Sequence, residues 1–193
     1  WYRPYLPDDL KLKDNPPQFG DLTPQRDGVM DIFYARGAMD YRLRFYETVA
    51  ALPRLRVQEA TLFGHLKHGG YHLRNNVAPA GMAEFDVMVY VDVPHAAIGV
   101  KHSYALAEYV KAGGGLLVTG GEYAFGKGKY PYTVLDRELL PVISIETVDG
   151  RYVQEPLHFE AGKDLGELGV ELDLSARPAF WCWNEVAVRP GAD

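Results

Sequence analysis

The sequence predicts an α/β fold in which a mainly parallel central sheet carries helices on both faces. Two observations support this prediction. From about residue 29, short apolar runs typical of strands alternate with segments of helical periodicity. Proline or glycine, which end helices, follows each of those helical segments. Strand–helix–strand units of this kind place their strands parallel to one another.

The first predicted unit starts with the strand "VMDIFYA" (29–35), a short and mostly apolar run. Asp40 is expected to cap a helix that extends to about Leu52, and Pro53 lies just past its end. The inward face of this helix should consist of Phe45, Val49 and Leu52.

Two further strands follow this helix. "LRVQEATLF" (55–63) alternates between apolar and polar residues, as a half-buried strand does. Residues 64–84 are interpreted as a long connection containing glycine, histidine and asparagine. "FDVMVYVDV" (85–93) is the strongest strand pattern in the chain.

The next predicted unit is a helix over about 98–112, stopped by three glycines at 113–115. The short apolar run "LLVT" (116–119) then predicts another strand. The buried face of the helix should contain Leu106, Tyr109 and Val110.

The pattern is less regular after residue 130. A short helix over 133–142 is expected to end at Pro141. Extended segments should follow over 143–160, with a turn at 149–150. "FWCWNEVAV" (180–188) alternates like a strand.

A proline-rich arm over residues 1–28 is expected to precede a single domain over 29–193. Five prolines in the arm rule out a long helix there. The chain length of 193 residues suits one domain with a sizeable core.

The composition narrows the function classes. A formal net charge of −6 argues against nucleic acid or anionic membrane as the main partner. No apolar stretch approaches the ~20 residues that a membrane-spanning helix needs. The single cysteine, Cys182, excludes an internal disulfide and a multi-cysteine metal site. Because a lone cysteine suits a reducing compartment, we expect a cytoplasmic protein.

Parallel sheets bind ligands beyond the carboxyl ends of their strands. A ligand-binding site is therefore expected where the predicted strands end. The candidate ligand-binding residues are Arg36, Gly37, Asp92, Gly120, Gly121 and Glu122.

The turn "GGE" (120–122) has two interpretations. Its glycines would let exposed backbone N–H groups hold an anion, and Glu122 would act as a general base if burial raised its pKa. Alternatively, the glycines only make a tight strand exit and Glu122 faces water. The turn has neither a Walker A nor a GxGxxG pattern, so no nucleotide cofactor is expected.

Two other groups of residues each have a functional and a structural interpretation. Asp92 and His95 would form an acid–base pair at the sheet edge, or Asp92 would simply cap the turn at Pro94. The histidines of "GHLKHGGYH" have metal-ligand spacing on a helix, but their two glycines favour a surface loop, so no metal is expected. These histidines are His65, His68 and His72.

Trp181 and Trp183 share one face of the late strand. They would form a stacking surface for a sugar or a partner protein, or else close a core. Cys182 lies between them in mid-strand, which disfavours a role as nucleophile.

The order of several segments resembles class I glutamine amidotransferase-like domains, in particular a subgroup found in uncharacterised bacterial proteins. The segments are "FYARG", "AEFDVMVYVDVP", "LAEYVKAGGGLLVTGGEYAFGKGKY", "LLPV" and "FWCWNEVAVRPGA". The resemblance covers residues 29–192 and implies a three-layer flavodoxin-like (Rossmann-like) sandwich. It also implies further strands beyond residue 193, so the domain is expected to be incomplete at its C-terminus.

The sequence departs from the active members of that family. They carry a nucleophilic cysteine in the turn after the equivalent strand, where this chain has Gly-Gly-Glu at 120–122. They carry oxyanion-hole glycines after the preceding strand, where Pro94 offers no N–H donor. His158 and Glu160 keep the family's His-x-Glu spacing, but a base without a nucleophile cannot run acyl transfer.

Three hypotheses follow. The first is a non-catalytic amidotransferase-like domain, a pseudoenzyme, that binds a small polar ligand or a protein partner at the strand ends. The second is a hydrolase that uses Glu122 with Asp92 or His95, whose side chains would then converge. The third is a structural homo-oligomerisation domain with filled strand ends and an apolar surface that includes Trp181 or Trp183.

Overall fold

The computed structural model describes residues 19–20, 28–37, 40, 44–65, 71–73, 78–145, 149–158 and 179–192. Most of the predicted N-terminal arm lies outside the described residues, as do His68 and Glu160.

Ten strands are described, in chain order: β1 (Met30–Arg36), β2 (Leu55–Thr61), β3 (Phe63–His65), β4 (Tyr71–Leu73), β5 (Val87–Val91), β6 (Gly115–Thr119), β7 (Val142–Ser144), β8 (Gly150–His158), β9 (Ala179–Asn184) and β10 (Val186–Val188). The described helices are α1 (Phe45–Ala50), α2 (His95–Ile98) and α3 (Val100–Lys111), with a 3-10 turn at Met82–Glu84 and a π-helical turn at Leu135–Leu139. None of them is long and apolar enough to cross a membrane.

The central sheet has four strands in the order β2-β1-β5-β6, and all neighbours are parallel. This confirms the predicted α/β fold with a parallel sheet. The strand predicted at 85–93 is shorter, because Asp92 adopts a left-handed backbone conformation (φ 52°) just after β5. The three-layer flavodoxin-like arrangement stays a prediction.

The central strands are buried on both faces. Alternate residues of β1 and β5 point to opposite sides of the sheet, so each side has its own apolar cluster. One cluster joins these strands to α3 and includes Phe33, Met88, Tyr90, Leu106 and Tyr109. The other joins them to α1 and includes Ile32, Tyr34, Val89 and Val91.

Helix α1 is shorter than the predicted helix. Phe45 and Val49 pack against the sheet as expected, but Leu52 is half exposed and Tyr46 packs in its place. The predicted inward position of Leu52 is therefore wrong, because the helix ends at Ala50 before that turn is complete. The backbone N–H groups that a cap at Asp40 would bind lie outside the described residues.

Glycines end helix α3, as predicted. Gly113 has a positive φ of 104°, which a residue with a side chain rarely adopts. The Gly113 N–H donates to the Val110 oxygen and the Gly114 N–H to the Tyr109 oxygen, both at 3.0 Å. This pairing is a Schellman motif, which satisfies the last carbonyls of the helix.

The second half of the chain forms small two-stranded sheets, in which β7 pairs with β10 and β8 with β9. The single strand predicted at 180–188 is wrong: it is broken at Glu185, whose N–H donates to the Asp149 oxygen at 2.7 Å. The helix predicted at 133–142 is a π-helical turn, and the connection predicted at 64–84 contains the β3–β4 hairpin.

Candidate functional site

The carboxyl ends of β1, β5 and β6 meet at one edge of the sheet because these strands are parallel neighbours. The Gly37 N–H donates to the Val91 oxygen at 2.8 Å. A Cβ on Gly37 would lie 1.9 Å from the Asp92 backbone oxygen, and one on Gly121 would lie 2.4 Å from the Asp92 carboxyl carbon. Three predicted site residues (Gly37, Asp92 and Gly121) are thus in direct contact, and only glycine fits on either side of Asp92.

Asp92 is fully buried at this edge. Its Oδ1 accepts a hydrogen bond from the Tyr123 backbone N–H. Its left-handed backbone conformation is one that aspartate tolerates better than most residues, because the short polar side chain bonds locally. The carboxylate therefore holds the loop after β6 against the end of β5.

Asn184, the last residue of β9, holds the same loop from the other side. Its Oδ1 accepts from the Gly121 N–H at 2.7 Å, and its Nδ2 donates to the Gly121 oxygen at 3.0 Å. Both hydrogen-bonding groups of one glycine are satisfied by one side chain. No pattern in the sequence indicates this contact beyond the position of Asn184 on a predicted strand.

Asp149 is the third residue that fixes the loop. It is fully buried, and its carboxylate accepts from the Gly126 N–H at 3.0 Å and the Lys127 N–H at 3.4 Å. The Asn184 Nδ2 also lies 3.3 Å from its Oδ2. The turn predicted at 149–150 gave no indication of this role. We call Asp92, Asp149, Asn184 and the loop 120–128 that they bind the strand-end network.

The N–H groups of this glycine-rich loop bind to side chains of the strand-end network. Exposed N–H groups in such a loop can form an anion site. Two of the chain's own carboxylates, Asp92 and Asp149, already accept from three of them, at Tyr123, Gly126 and Lys127. The loop is therefore built around internal anions.

Glu122 lies on the outer side of the loop. Its Oε1 is 2.7 Å from the Lys127 Nζ, and that ammonium lies 4.8 Å from the centre of the Tyr123 ring. The hydrogen bond to Glu122 raises the pKa of Lys127. Glu122 thus contacts a surface lysine, and Asp92 contacts a backbone N–H among its partners. The predicted use of Glu122 with Asp92 as an acid and base stays a prediction.

His95 begins helix α2, directly after Pro94. Its backbone N–H donates to the Gly128 oxygen at 2.8 Å, which ties the far end of the loop to the helix. The acid–base pair of His95 with Asp92 stays a prediction.

Arg36 is directed to the α1 side of the sheet. Its guanidinium lies 2.7 Å from Asp40, 3.1 Å from Glu47 and 3.3 Å from Glu59. Burial alone would lower its pKa, but the hydrogen bond to Asp40 and the other carboxylates raise it. Asp40 is fully buried and also accepts from the Tyr34 hydroxyl at 2.5 Å. Arg36 therefore neutralises a carboxylate cluster, and its role in ligand binding stays a prediction.

Trp181 and Trp183 of β9 are exposed, with 53% and 41% of their surface accessible. This exposure does not fit the alternative of a closed core, and the stacking surface stays a prediction. Cys182 is exposed and unpaired. Among the described residues, no group of three or more potential ligands could hold a metal ion.

A scan against protein-family models and a search of curated proteins both found no match to this chain. The resemblance to amidotransferase-like domains therefore depends on the sequence segments alone and stays a prediction.

Proposed function

We propose that this chain is a non-catalytic, amidotransferase-like α/β domain that binds a small polar ligand or a protein partner at the strand ends. The observation that carries the proposal is the strand-end network. Three polar side chains from distant segments hold the loop 120–128 in one conformation. A loop fixed before binding loses less conformational entropy when it meets its ligand.

Several contacts support a non-catalytic role. The turn where a nucleophile would lie is glycine, and Asn184 occupies both backbone groups of Gly121. The buried Asp92 carboxyl group accepts a backbone hydrogen bond from Tyr123, which supports a structural role in holding the loop. Glu122 is paired with Lys127 on the surface, so its described contact is with a cation rather than with a nucleophile.

The outer side of the loop suits a neutral or zwitterionic ligand. Tyr123 offers an aromatic ring that is 39% exposed, Lys127 offers donors above it, and Glu122 offers an acceptor. An aromatic face beside a donor and an acceptor suits a sugar ring or an amino acid. Phosphate-bearing ligands are disfavoured, because internal carboxylates already bind the loop N–H groups.

Thermal unfolding with a panel of sugars, amino acids including glutamine, nucleotides and divalent metals tests the proposal. A ligand at 100 times its Kd adds about 2.7 kcal/mol of stability, so a saturable rise in melting temperature is expected from a sugar or amino acid. Tyr123→Ala and Glu122→Ala should lose the rise. Glu108→Ala is the control, because it removes an ion pair of the same 2.7 Å length on α3. A rise that both loop variants keep would refute the location.

A structural role in assembly is the second candidate. The strand ends are filled by Asp92 packed between Gly37 and Gly121. Exposed tryptophans lie on β9, immediately before Asn184. These are the two features that a structural oligomerisation domain is expected to have. If no compound in the panel raises the melting temperature, this candidate is favoured.

A further inference from the structure

Open space lies beside the loop 120–128 where the β8–β9 ribbon meets it. The Asn184 side chain bonds to Gly121, so this face of β9 is turned toward the loop. Gly150 is the partner of Asn184 on β8 and belongs to the same face of the ribbon. Among the described residues, a Cβ on Gly150 would meet no atom within 4 Å apart from its chain neighbours. We call this space the Gly150 cleft.

Tyr152 borders the Gly150 cleft on the ribbon side. It lies opposite Cys182, which is two residues before Asn184 on β9. Because side chains alternate along a strand, Tyr152 and Cys182 share the face that is turned toward the loop. Trp181 and Trp183 belong to the opposite face. Tyr152 is 76% exposed, so its ring is accessible to a ligand.

Lys127 connects Tyr152 to the exposed aromatic ring of the loop. Its Nζ lies 4.8 Å from the centre of the Tyr123 ring. The pKa of Lys127 is raised most by its hydrogen bond to Glu122, and it is also raised by Tyr123 and Tyr152. Two tyrosines, one from the loop and one from the ribbon, therefore lie near the same ammonium group.

The polar groups of the cleft suit a neutral ligand that has many hydroxyl groups. The Lys127 Nζ is 2.7 Å from Glu122, and a charged ligand would have to compete with this ion pair. An ammonium has three N–H donors and a carboxylate has two oxygens, so the pair keeps donors and acceptors for a ligand. Phenol hydroxyls both donate and accept, and phenol rings pack against apolar C–H groups. A sugar ring has both kinds of group and no charge, whereas an amino acid is zwitterionic.

We propose that a neutral saccharide binds in the Gly150 cleft, between Tyr123 and Tyr152, with Lys127 and Glu122 bonding to its hydroxyl groups. This inference rests on the proposed function and narrows its ligand to one chemical class. It also gives Tyr152 and Gly150 a role in binding. Glycine is needed at position 150 because a side chain there would fill the space that the sugar occupies.

Isothermal titration calorimetry of the full chain with maltose, cellobiose and lactose tests the proposal, and glutamine is the zwitterionic comparison. At least one disaccharide should bind saturably. Tyr152→Ala should weaken that binding at least tenfold, because it removes one aromatic wall. Gly150→Leu should weaken it as much by filling the cleft. Since Gly150 does not adopt the left-handed backbone conformation, the new side chain should not strain the chain.

Two control variants match these changes. Gly20→Leu adds the same side chain at another glycine with open space around it, next to Phe19, which packs on Tyr109 of α3. Tyr132→Ala removes an exposed tyrosine outside the loop and the ribbon. Both variants should bind the disaccharide as the wild type does. If Gly150→Leu does not fold, Tyr152→Ala decides the test, because it changes a side chain that is mostly exposed.

The thiol of Cys182 provides a second measurement that needs no variant. Cys182 is the chain's single cysteine, it is exposed, and it lies opposite Tyr152 on the face that borders the cleft. A saturating concentration of the bound disaccharide should slow its reaction with Ellman's reagent at least fivefold.

Three results would overturn the proposal. They are the absence of disaccharide binding, binding that both Tyr152→Ala and Gly150→Leu leave unchanged, and a bound disaccharide that does not slow the thiol reaction. Glutamine binding that depends on Tyr123 but not on Tyr152 would overturn the saccharide site while the proposed function stands. The absence of binding by every compound would overturn both.

Discussion

Replacing Asn184 with alanine should destabilise the fold by about 2–3 kcal/mol, because a typical buried hydrogen bond contributes about 1 kcal/mol and three are lost. Two of them join Asn184 to the backbone of Gly121 at 2.7 and 3.0 Å, and the third reaches Asp149 at 3.3 Å. All three are partly buried, so water replaces them only in part. The loss is a large share of the ~5–15 kcal/mol that stabilises a typical domain.

Equilibrium unfolding in urea measures this change as a lower midpoint at an unchanged slope. Asn184→Asp provides a sharper comparison. It keeps the acceptor for the Gly121 N–H, but it loses the donor and places a second carboxylate beside Asp149. Near pH 7, Asn184→Asp should lower the free energy of unfolding more than Asn184→Ala does. This loss should become smaller toward pH 4, where carboxyl groups take up protons.

The matched control is Gln58→Ala, an exposed position on β2 where the change should stay within about 0.5 kcal/mol. A loss below about 0.5 kcal/mol for Asn184→Ala would show that the loop does not depend on this side chain.

Three further changes have defined outcomes. Gly37→Ala should cost more than about 3 kcal/mol in urea unfolding, since its Cβ would lie 1.9 Å from the Asp92 backbone oxygen. Arg36→Gln should cost about 3–5 kcal/mol, because it leaves the buried Asp40 carboxylate without its cation; unfolding near wild-type denaturant concentrations would contradict this. Burial raises the pKa of Tyr109 from 10.0 to about 12. The neutral hydroxyl's contribution to folding stability is therefore fully present below pH 10 and is lost between pH 10 and 12. The free energy of unfolding of Tyr109→Phe should therefore fall less steeply with pH over that window than that of the wild type. Equal slopes for the two proteins would contradict this prediction.

The strands of the central sheet could be predicted because buried strands have a recognisable apolar sequence pattern. β1 and β5 are covered on both faces, so they read as continuous apolar runs. The C-terminal end of α3 could also be predicted, because only glycine easily adopts the backbone conformation found at Gly113.

The errors come from contacts between distant parts of the chain. The face of α1 was misjudged because packing on the sheet selects Tyr46 rather than Leu52. The break at Glu185 depends on a hydrogen bond to the Asp149 oxygen, which no local pattern reveals.

For the same reason, only part of the candidate site could be predicted from the sequence. Gly37, Asp92 and Gly121 could be placed together, because parallel strands bring their carboxyl ends to one edge. Asn184 lies 63 residues from Gly121 in the chain, and a single side chain-to-backbone contact at that separation leaves no periodic signal. The sequence therefore indicated that these residues lie together at one sheet edge, but not that internal carboxylates would hold the loop.

Amide hydrogen exchange, followed by NMR, tests whether the strand-end network holds the loop 120–128 in place. The backbone N–H groups of Gly121, Tyr123 and Gly126 donate to Asn184, Asp92 and Asp149. These three amides should exchange slowly without any ligand, with protection close to that of the β5 core. Exchange at the rate of an unstructured peptide would show that the loop is not held, and would contradict both the strand-end network and the function proposed from it.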